Sequence, residues 1–307
     1  MIATTRPSNN LMAANQDLPF NYTSQQSVID QFKNDMATNG LIIRESIIAD
    51  GKLHRYHVEG DRSGSKNAAI ILHLDGNPAG FYQHFKTGTV CTWRADGKRQ
   101  RLSHADRLAL ELEQKKRQAE VSEIKQQAAI KAVNIWRNAT PAINHPYLER
   151  KQIQAHQLRI NRAGALIVPI YNEAGLIVNL QLINADGEKR FLSGGQKRSC
   201  FSVIGTHANN ETILIAEGLA TACSLNEHSD LFTVVALDAG NLKPVAEVWR
   251  KLRPKAQIVI CGDNDASGIG QLKAKEAALS VGGTYLIPKT VGHDWNDVLT
   301  NGGSING

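Results

Sequence analysis

Three acidic residues stand where apolar runs of the sequence end. Glu217 closes TILIAEG, and Asp263 and Asp265 close QIVICGDND. Runs of this length and composition read as strands, and in an open parallel sheet ligands gather at the carboxyl ends of strands. Asp263 and Asp265 stand at i and i+2, so an extended backbone sends both side chains from one face. Crowded carboxylates repel, and stay ionised together only with a cation between them. Hard oxygen ligands that leave coordination positions for water and phosphate suit Mg2+ or Mn2+. Gly218, Gly262 and Gly268 allow close backbone approach, and Ser267-Gly268 opens a helix whose N-terminus suits phosphate. Singly, a Glu-Gly at a strand end is a cap and turn, and Asp-x-Asp is a solvated loop. Their combination on two strands of one alternating unit points to a metal site.

The elements that must position these acids follow from periodicity. From Thr212 the strands TILIAEG, TVVALDAGN, QIVICGDND and TYLIPK alternate with the helices LATACSLNEH, LKPVAEVWRKLR and ASGIGQLKAKEAALS. That alternation predicts a parallel sheet with right-handed crossovers. Residues 165–204 alternate strands and turns: ALIVPIYN, LIVNLQLIN, RFLSGGQKR, SCFSVIG. Residues 103–138 lack Gly and Pro and are rich in helix formers, with Ser103 and Asp106 as an N-cap signature. They predict one long or once-broken helix, a semi-rigid arm; no a/d heptad is sustained, which disfavours a coiled-coil dimer. Residues 25–38 place Val28, Ile29, Phe32 and Met36 at helical spacing before Asn39-Gly40. The runs LIIRESII, LHRYHVEG, AAIILHL, GFYQHF and CTWRA, between turn residues, predict an antiparallel β module over residues 40 to 98. The expected fold is α/β, or α+β taken whole. A parallel sheet flanked by helices follows a mixed β-rich lobe, a long helix and an N-terminal α/β module. The expected divisions are a loose tail at 1–20, the module at 21–101, a helical linker at 102–140, the lobe at 141–206 and the parallel-sheet domain at 207–303.

With 307 residues and 42% hydrophobic content the chain has enough apolar sequence for two lobes. The net charge of +6 suits a polyanionic partner. Cys91, Cys200, Cys223 and Cys261 are isolated, so neither a zinc ribbon nor a disulfide framework is expected, and a reduced cytoplasmic setting is the default. The N-terminus lacks an apolar signal-type core, and no segment has the length and apolarity of a membrane span.

ILIAEG and VICGDNDASG, each followed by a helix, resemble the TOPRIM domain shared by bacterial-type primases, topoisomerases and some nucleases. The string Glu217-Gly218-Leu219-Ala220-Thr221-Ala222 is similar to the EGYATA motif of conjugative-plasmid and satellite-phage primases, with Leu219 in place of its Tyr. Replicative bacterial primases carry an acid four positions after the glutamate; here that position is Thr221. Asp294-Trp295-Asn296-Asp297 resembles the late DPD element, with one extra residue, so Asp294, Asp297 or both would face metal. The alternative is a helix cap for VLTNGG. Residues 163–204 resemble the amino-terminal lobe of the bacterial primase core, in which basic residues flank a short loop. Lys189, Arg190, Lys197 and Arg198 match that pattern, and the alternative is a solvated basic loop. HPYLERKQI, at 145–153, looks like the stretch preceding this lobe. The resemblance covers about residues 140 to 303.

The resemblance implies a DNA primase that makes short RNA primers on single-stranded DNA by two-metal nucleotidyl transfer, in plasmid, phage or mobile-element replication. It implies Glu217, Asp263 and Asp265 as catalytic residues, with Asp294 and Asp297 added as metal ligands. Lys189, Arg190, Lys197, Arg198, Gly218 and Ser267 would bind nucleotide and template. The cofactors would be two Mg2+ or Mn2+ ions and no zinc; the substrates would be ribonucleoside triphosphates. No G-x-x-x-x-G-K-[ST] occurs, so unwinding would fall to a separate helicase. A topoisomerase would need a catalytic tyrosine and a larger DNA gate. A TOPRIM nuclease and a non-catalytic DNA-binding replication factor are the alternatives. In the β module, His54, Arg55, Tyr56, Phe81, Tyr82, Phe85, Lys86, Trp93 and Arg94 interleave aromatics with bases, either to stack a single strand or as core.

Overall fold

The computed structural model describes residues 25–74, 78–95, 104–206 and 211–305. The expected tail at 1–20 and the Ser103 cap lie outside them. Packing divides the chain into two units, residues 1–114 and 115–307, described separately below.

In the first unit, α1 (Gln25–Thr38) precedes four strands, β1 (His54–Tyr56), β2 (Ala68–His73), β3 (Ala79–His84) and β4 (Val90–Arg94). They form an antiparallel meander in the order β1-β2-β3-β4. Phe32 and Met36 of α1 pack with Ile70, Leu72 and Tyr82 of the sheet. Burying such side chains contributes roughly 1.5–3 kcal/mol each. LIIRESII, expected as a strand, pairs with none. Leu41, Ile43 and Ile47 are buried while Ile42 and Ile48 are exposed, so its alternation serves packing rather than a hydrogen-bond ladder. Tyr56 and Tyr82 are core residues: the Tyr56 hydroxyl accepts from the Ile48 N–H at 2.8 Å, and the Tyr82 hydroxyl donates to Asp35 at 2.7 Å. As stacking platforms they are withdrawn. Trp93 packs its ring 5.1 Å from Phe32, whereas Phe85 is exposed with the Arg55 guanidinium 4.1 Å from its centroid.

Helix α2 (His104–Arg137) is unbroken. The division between the units falls inside it, and Ala132 near its C-terminal end is fully buried. The second unit continues with β5 (Thr140–Pro141), α3 (Pro146–Lys151), β6 (Arg159–Ile160), β7 (Leu166–Tyr171), β8 (Ile177–Ile183) and β9 (Lys189–Phe191). These strands form an antiparallel sheet in the order β5-β6-β7-β8-β9. Then come β10 (Ser202–Ile204), β11 (Thr212–Ala216), α4 (Leu219–Ser229), β12 (Thr233–Val235), a 3-10 turn (Ala239–Asn241), α5 (Leu242–Leu252), β13 (Gln257–Cys261), α6 (Ile269–Val281), β14 (Thr284–Leu286) and α7 (Trp295–Thr300). Their sheet has the order β10-β12-β11-β13-β14; β10 is antiparallel and the rest are parallel.

Period-two alternation divides the core between the two faces of this sheet. Ile213, Ile215, Val234, Ile258 and Ile260 meet α5 and α6. Leu214, Ala216, Val235, Val259 and Cys261 meet α4 and α7, together with Leu166, Val168 and Ile183 of the antiparallel sheet. The two sheets of this unit therefore share one core. Ile167 and Leu180, on the other face of the antiparallel sheet, pack with Ala132 of α2. Among the described residues no helix is long and apolar enough to cross a membrane.

Candidate active site

Parallel register brings the strand ends into one row, because Ala216 lies opposite both Val235 and Cys261. Glu217 follows β11 directly, Asp238 comes three residues after β12, and Asp263 two after β13. Glu217 is partly buried. Burial, and then repulsion from Asp238, raise its carboxyl above the usual range, against the Ala239 N–H, which favours the charged form. Asp263 is pushed up to about 7, chiefly by burial and then by the charge of Glu217, Asp294, Asp265 and Asp297. Its Oδ1 is buried with no hydrogen-bond partner. Such an atom costs free energy until something pairs with it.

Asp265 is in a different situation. It lies beyond the end of β13 at Cys261, in the loop that leads to α6. One Asp265 oxygen accepts from the Ser267 hydroxyl at 2.6 Å and the Ile269 N–H at 3.3 Å, and the other from the Gly270 N–H at 2.8 Å. Burial opposes its ionisation, but these donors outweigh it and hold the carboxyl below its ordinary value. The start of α6, expected as a phosphate cradle with Ser267, is therefore already taken up by a carboxylate of the chain. Gly262 lies against α6, where a Cβ would meet that of Ala274 at 2.5 Å. Gly218 differs: its backbone is extended, and a Cβ there would meet nothing.

Asp294 is the N-cap of α7. It accepts from the Asp297 N–H at 2.8 Å, while Asp297 accepts from the Asp294 N–H at 3.1 Å, a reciprocal capping box. The helix-cap alternative is thus realised in both residues, which also lie 3.9 Å from the Lys151 ammonium. Asn264 fixes the approach to this cap. Its side chain donates to the Pro288 carbonyl at 2.7 Å, and its backbone exchanges hydrogen bonds with Gly292 and His293. Thr221, at the position of the missing acid, is buried in α4.

The basic residues divide by strand parity. Lys189 lies opposite Ile183, whose side chain belongs to the core shared with the parallel sheet; Arg190 lies opposite Leu182, which packs on the α2 side. Lys189 remains solvent-accessible. Crowding around its ammonium and the nearby Lys151 lower its pKa, while Asp294, Glu217 and Asp263 pull it up, so it faces the acids. Arg190 pairs with Glu188 at 2.9 Å. Lys197 pairs with Asp238 and lies 4.7 Å from the Phe191 ring centroid. Arg198 is exposed. Two residues absent from the expected set, Asp238 and Lys151, thus belong to the cluster. Asp238 carried a signal: it ends TVVALDAG as Glu217 ends TILIAEG. Lys151 carried none, because its approach depends on where α3 packs. Among the described residues no three His, Cys, Asp or Glu side chains converge to hold an ion by themselves.

Residues 212–304 match the Toprim domain family. The chain is 34% identical to a DNA primase TraC of Escherichia coli over 295 residues, covering 88% of this chain and 28% of that protein. A second Escherichia coli DNA primase TraC is 32% identical over 280 residues, covering 84% and 19% respectively. The chain thus spans less than a third of the length of these relatives. Among solved structures, the Aquifex aeolicus primase (zinc-binding and RNA polymerase domains) is similar at 13% identity and a TM-score of 0.42, over 90% of this chain and 82% of that one. By sequence, the chain carries a Toprim domain and is similar along most of its length to a segment of the TraC primases.

Proposed function

We propose that this chain synthesises short RNA primers on single-stranded DNA from ribonucleoside triphosphates, as a DNA primase of plasmid or other mobile-element type. The observation that carries the reading is the juxtaposition of two half-buried carboxylates, Glu217 and Asp263, the second with an unpaired oxygen, with Lys189 and Lys197. The similarity to TraC primases supports it.

The buried, unpaired Oδ1 of Asp263 and the mutual repulsion of the acids fit divalent cations, and an all-oxygen donor set favours Mg2+ or Mn2+ over zinc. Glu217, Asp263 and Asp265 would hold them, with Asp294 or Asp297 at the periphery; ligands shared with substrate phosphates and water would complete coordination. When bound, such ions neutralise charge on the reacting phosphate and lower the pKa of the attacking hydroxyl. The chain's own residues do the rest. Lys189 and Lys197 hold the triphosphate, and the bare Gly218 admits it close to the start of α4. A 3′-hydroxyl attacks the α-phosphorus, the bond to the β-phosphate oxygen breaks, and pyrophosphate leaves. Glu217, whose raised pKa suits proton acceptance, takes the hydroxyl proton. Arg190 and Arg198, on the exposed side, meet template backbone, and Phe85 with Arg55 offers a stacking surface for the single strand. Unwinding is supplied by a separate helicase.

The test is incubation with single-stranded DNA, labelled ribonucleotides and Mg2+ or Mn2+. Short RNA from wild type but not from Asp263→Asn, with DNA binding retained, is the expected result. Template cleavage would move the assignment to a nuclease; neither product would leave a DNA-binding factor.

A further inference from the structure

We propose that Asp238 is an internal stand-in for the triphosphate, holding Lys197 at the acidic site until nucleotide displaces it, and that Asn241 anchors the loop carrying Lys197. The proposal rests on the reading of the site as nucleotide-binding and concerns two residues that this reading does not use.

Asn241 is almost completely buried, and every polar atom of its side chain is engaged. The two hydrogens of its Nδ2 are shared among the carbonyls of Lys197 at 3.1 Å, Cys200 at 2.9 Å and Ala236 at 2.8 Å, and its Oδ1 accepts from the Ser199 N–H at 2.9 Å. Three of the four bonds reach the loop between β9 and β10, and the fourth holds the end of β12. One side chain thereby sets the distance between the basic loop and the strand-end acids. A buried amide with this many partners is costly to lose, because it would leave buried polar groups of the loop and of the end of β12 short of hydrogen bonds.

The backbone on both sides of this clasp is strained. Ser199 has φ +61° and Leu237 has φ +79°, a left-handed region that residues other than glycine seldom adopt. The turn at Leu237 delivers Asp238, which caps the following 3-10 turn by accepting from the Asn241 N–H at 2.9 Å and pairs with the Lys197 ammonium. Asp238 also lies near enough to Glu217 to repel it. Lys197 is therefore held beside the acids by a carboxylate that makes the site more negative. A triphosphate offers Lys197 a stronger anion, and the exchange costs little because the Lys197–Asp238 pair is about one-third exposed on each side.

The test is a double-mutant cycle on the full chain with inorganic tripolyphosphate, without metal, read as the dissociation constant by calorimetry. Asp238→Asn keeps a side-chain oxygen for the cap while removing the charge. It should bind tripolyphosphate about two- to five-fold more tightly than wild type, the range expected of an exposed ion pair. Lys197→Met should bind more weakly, and in that background Asp238→Asn should give no gain. A gain that persists without Lys197 would mean that any negative charge nearby is inhibitory, and would overturn the proposal. So would unchanged or weaker binding by Asp238→Asn, or no binding by wild type. For the anchor, Asn241→Ala that remains folded by circular dichroism should raise KM for nucleotide toward that of Lys197→Met with a smaller change in kcat. An unchanged KM would overturn the anchoring role. Wild type that binds tripolyphosphate yet makes no RNA would count against the primase reading alone.

Discussion

Two kinds of carboxylate occupy one site. Asp265, Asp294 and Asp297 are bound into the fold: the first accepts from a serine hydroxyl and helix amides, and the other two cap α7 reciprocally. Asp263 leaves an oxygen unpaired and Glu217 has only the Ala239 N–H in its favour, and burial and mutual repulsion raise both above the usual carboxylate range. Hydrogen-bond donors stabilise the ionised acid, whereas desolvation penalises it, so Asp265 and its neighbour Asp263 acquire opposite tendencies. The difference separates acids already steadied by hydrogen bonds within the chain from acids whose burial and repulsion leave them most in need of a bound cation, and Asp265 would join the latter only as a ligand already oriented by the start of α6.

The comparison breaks most directly at Asp263. Asp263→Asn is expected to reduce primer synthesis by at least about 10³-fold, the scale of losing a principal metal ligand in the transition state. Without metal it should not lower the melting temperature, because it removes a buried charge; a protein that loses activity only through unfolding would contradict this. The pH dependence follows from the same residue. Its folded pKa, about 7, is raised above the ordinary 3.8, so its contribution is fully present below pH 4 and is lost as pH rises through 7. Metal-free wild type should therefore lose, relative to Asp263→Asn, on the order of 3 to 4 kcal/mol between pH 4 and pH 8 by urea titration. Mg2+ should restore part of the loss; parallel curves for the two proteins would refute the assignment.

The capped acids should respond in the opposite sense. Asp294→Ala is expected to cost about 0.5–2 kcal/mol of stability, read in the denaturant midpoint. Asp294→Asn, which retains a capping oxygen, should keep most of that stability and lower activity less than about 10-fold. A loss of activity as large as that of Asp263→Asn would place Asp294 with Glu217 and Asp263. The smallest effect concerns the first unit. Phe85→Ala should weaken single-stranded DNA binding several-fold by fluorescence anisotropy, the loss of about one stacked base, without destabilising the fold. Tyr82→Phe should do the reverse; equal effects on DNA affinity would remove the distinction between exposed and core aromatics.

Much of this arrangement was legible in advance. Apolar strands alternating with amphipathic helices after Thr212 specify a parallel sheet, and strand-end acids must then lie together at one edge. LIIRESII was misleading because alternation records which side chains are buried and not whether a neighbouring strand supplies hydrogen bonds. Asp238 obeys the rule that identifies Glu217, since TVVALDAG ends as TILIAEG does. Ser267 and the start of α6 read as a phosphate cradle because sequence alone does not show which acceptor reaches a helix amide first.

By itself the sequence determined the order of elements, the strand-end positions of Glu217 and Asp263, and the presence of a basic loop before them. Local periodicity and turn chemistry suffice for those features. The tertiary structure decided which charges remain available. Strand parity turned Lys189 toward the acids and Arg190 away, packing of α3 brought in Lys151, and one buried asparagine fixed the loop of Lys197. Hydrogen-bond satisfaction and desolvation depend on neighbours distant in sequence, and those neighbours exist only once the chain has packed.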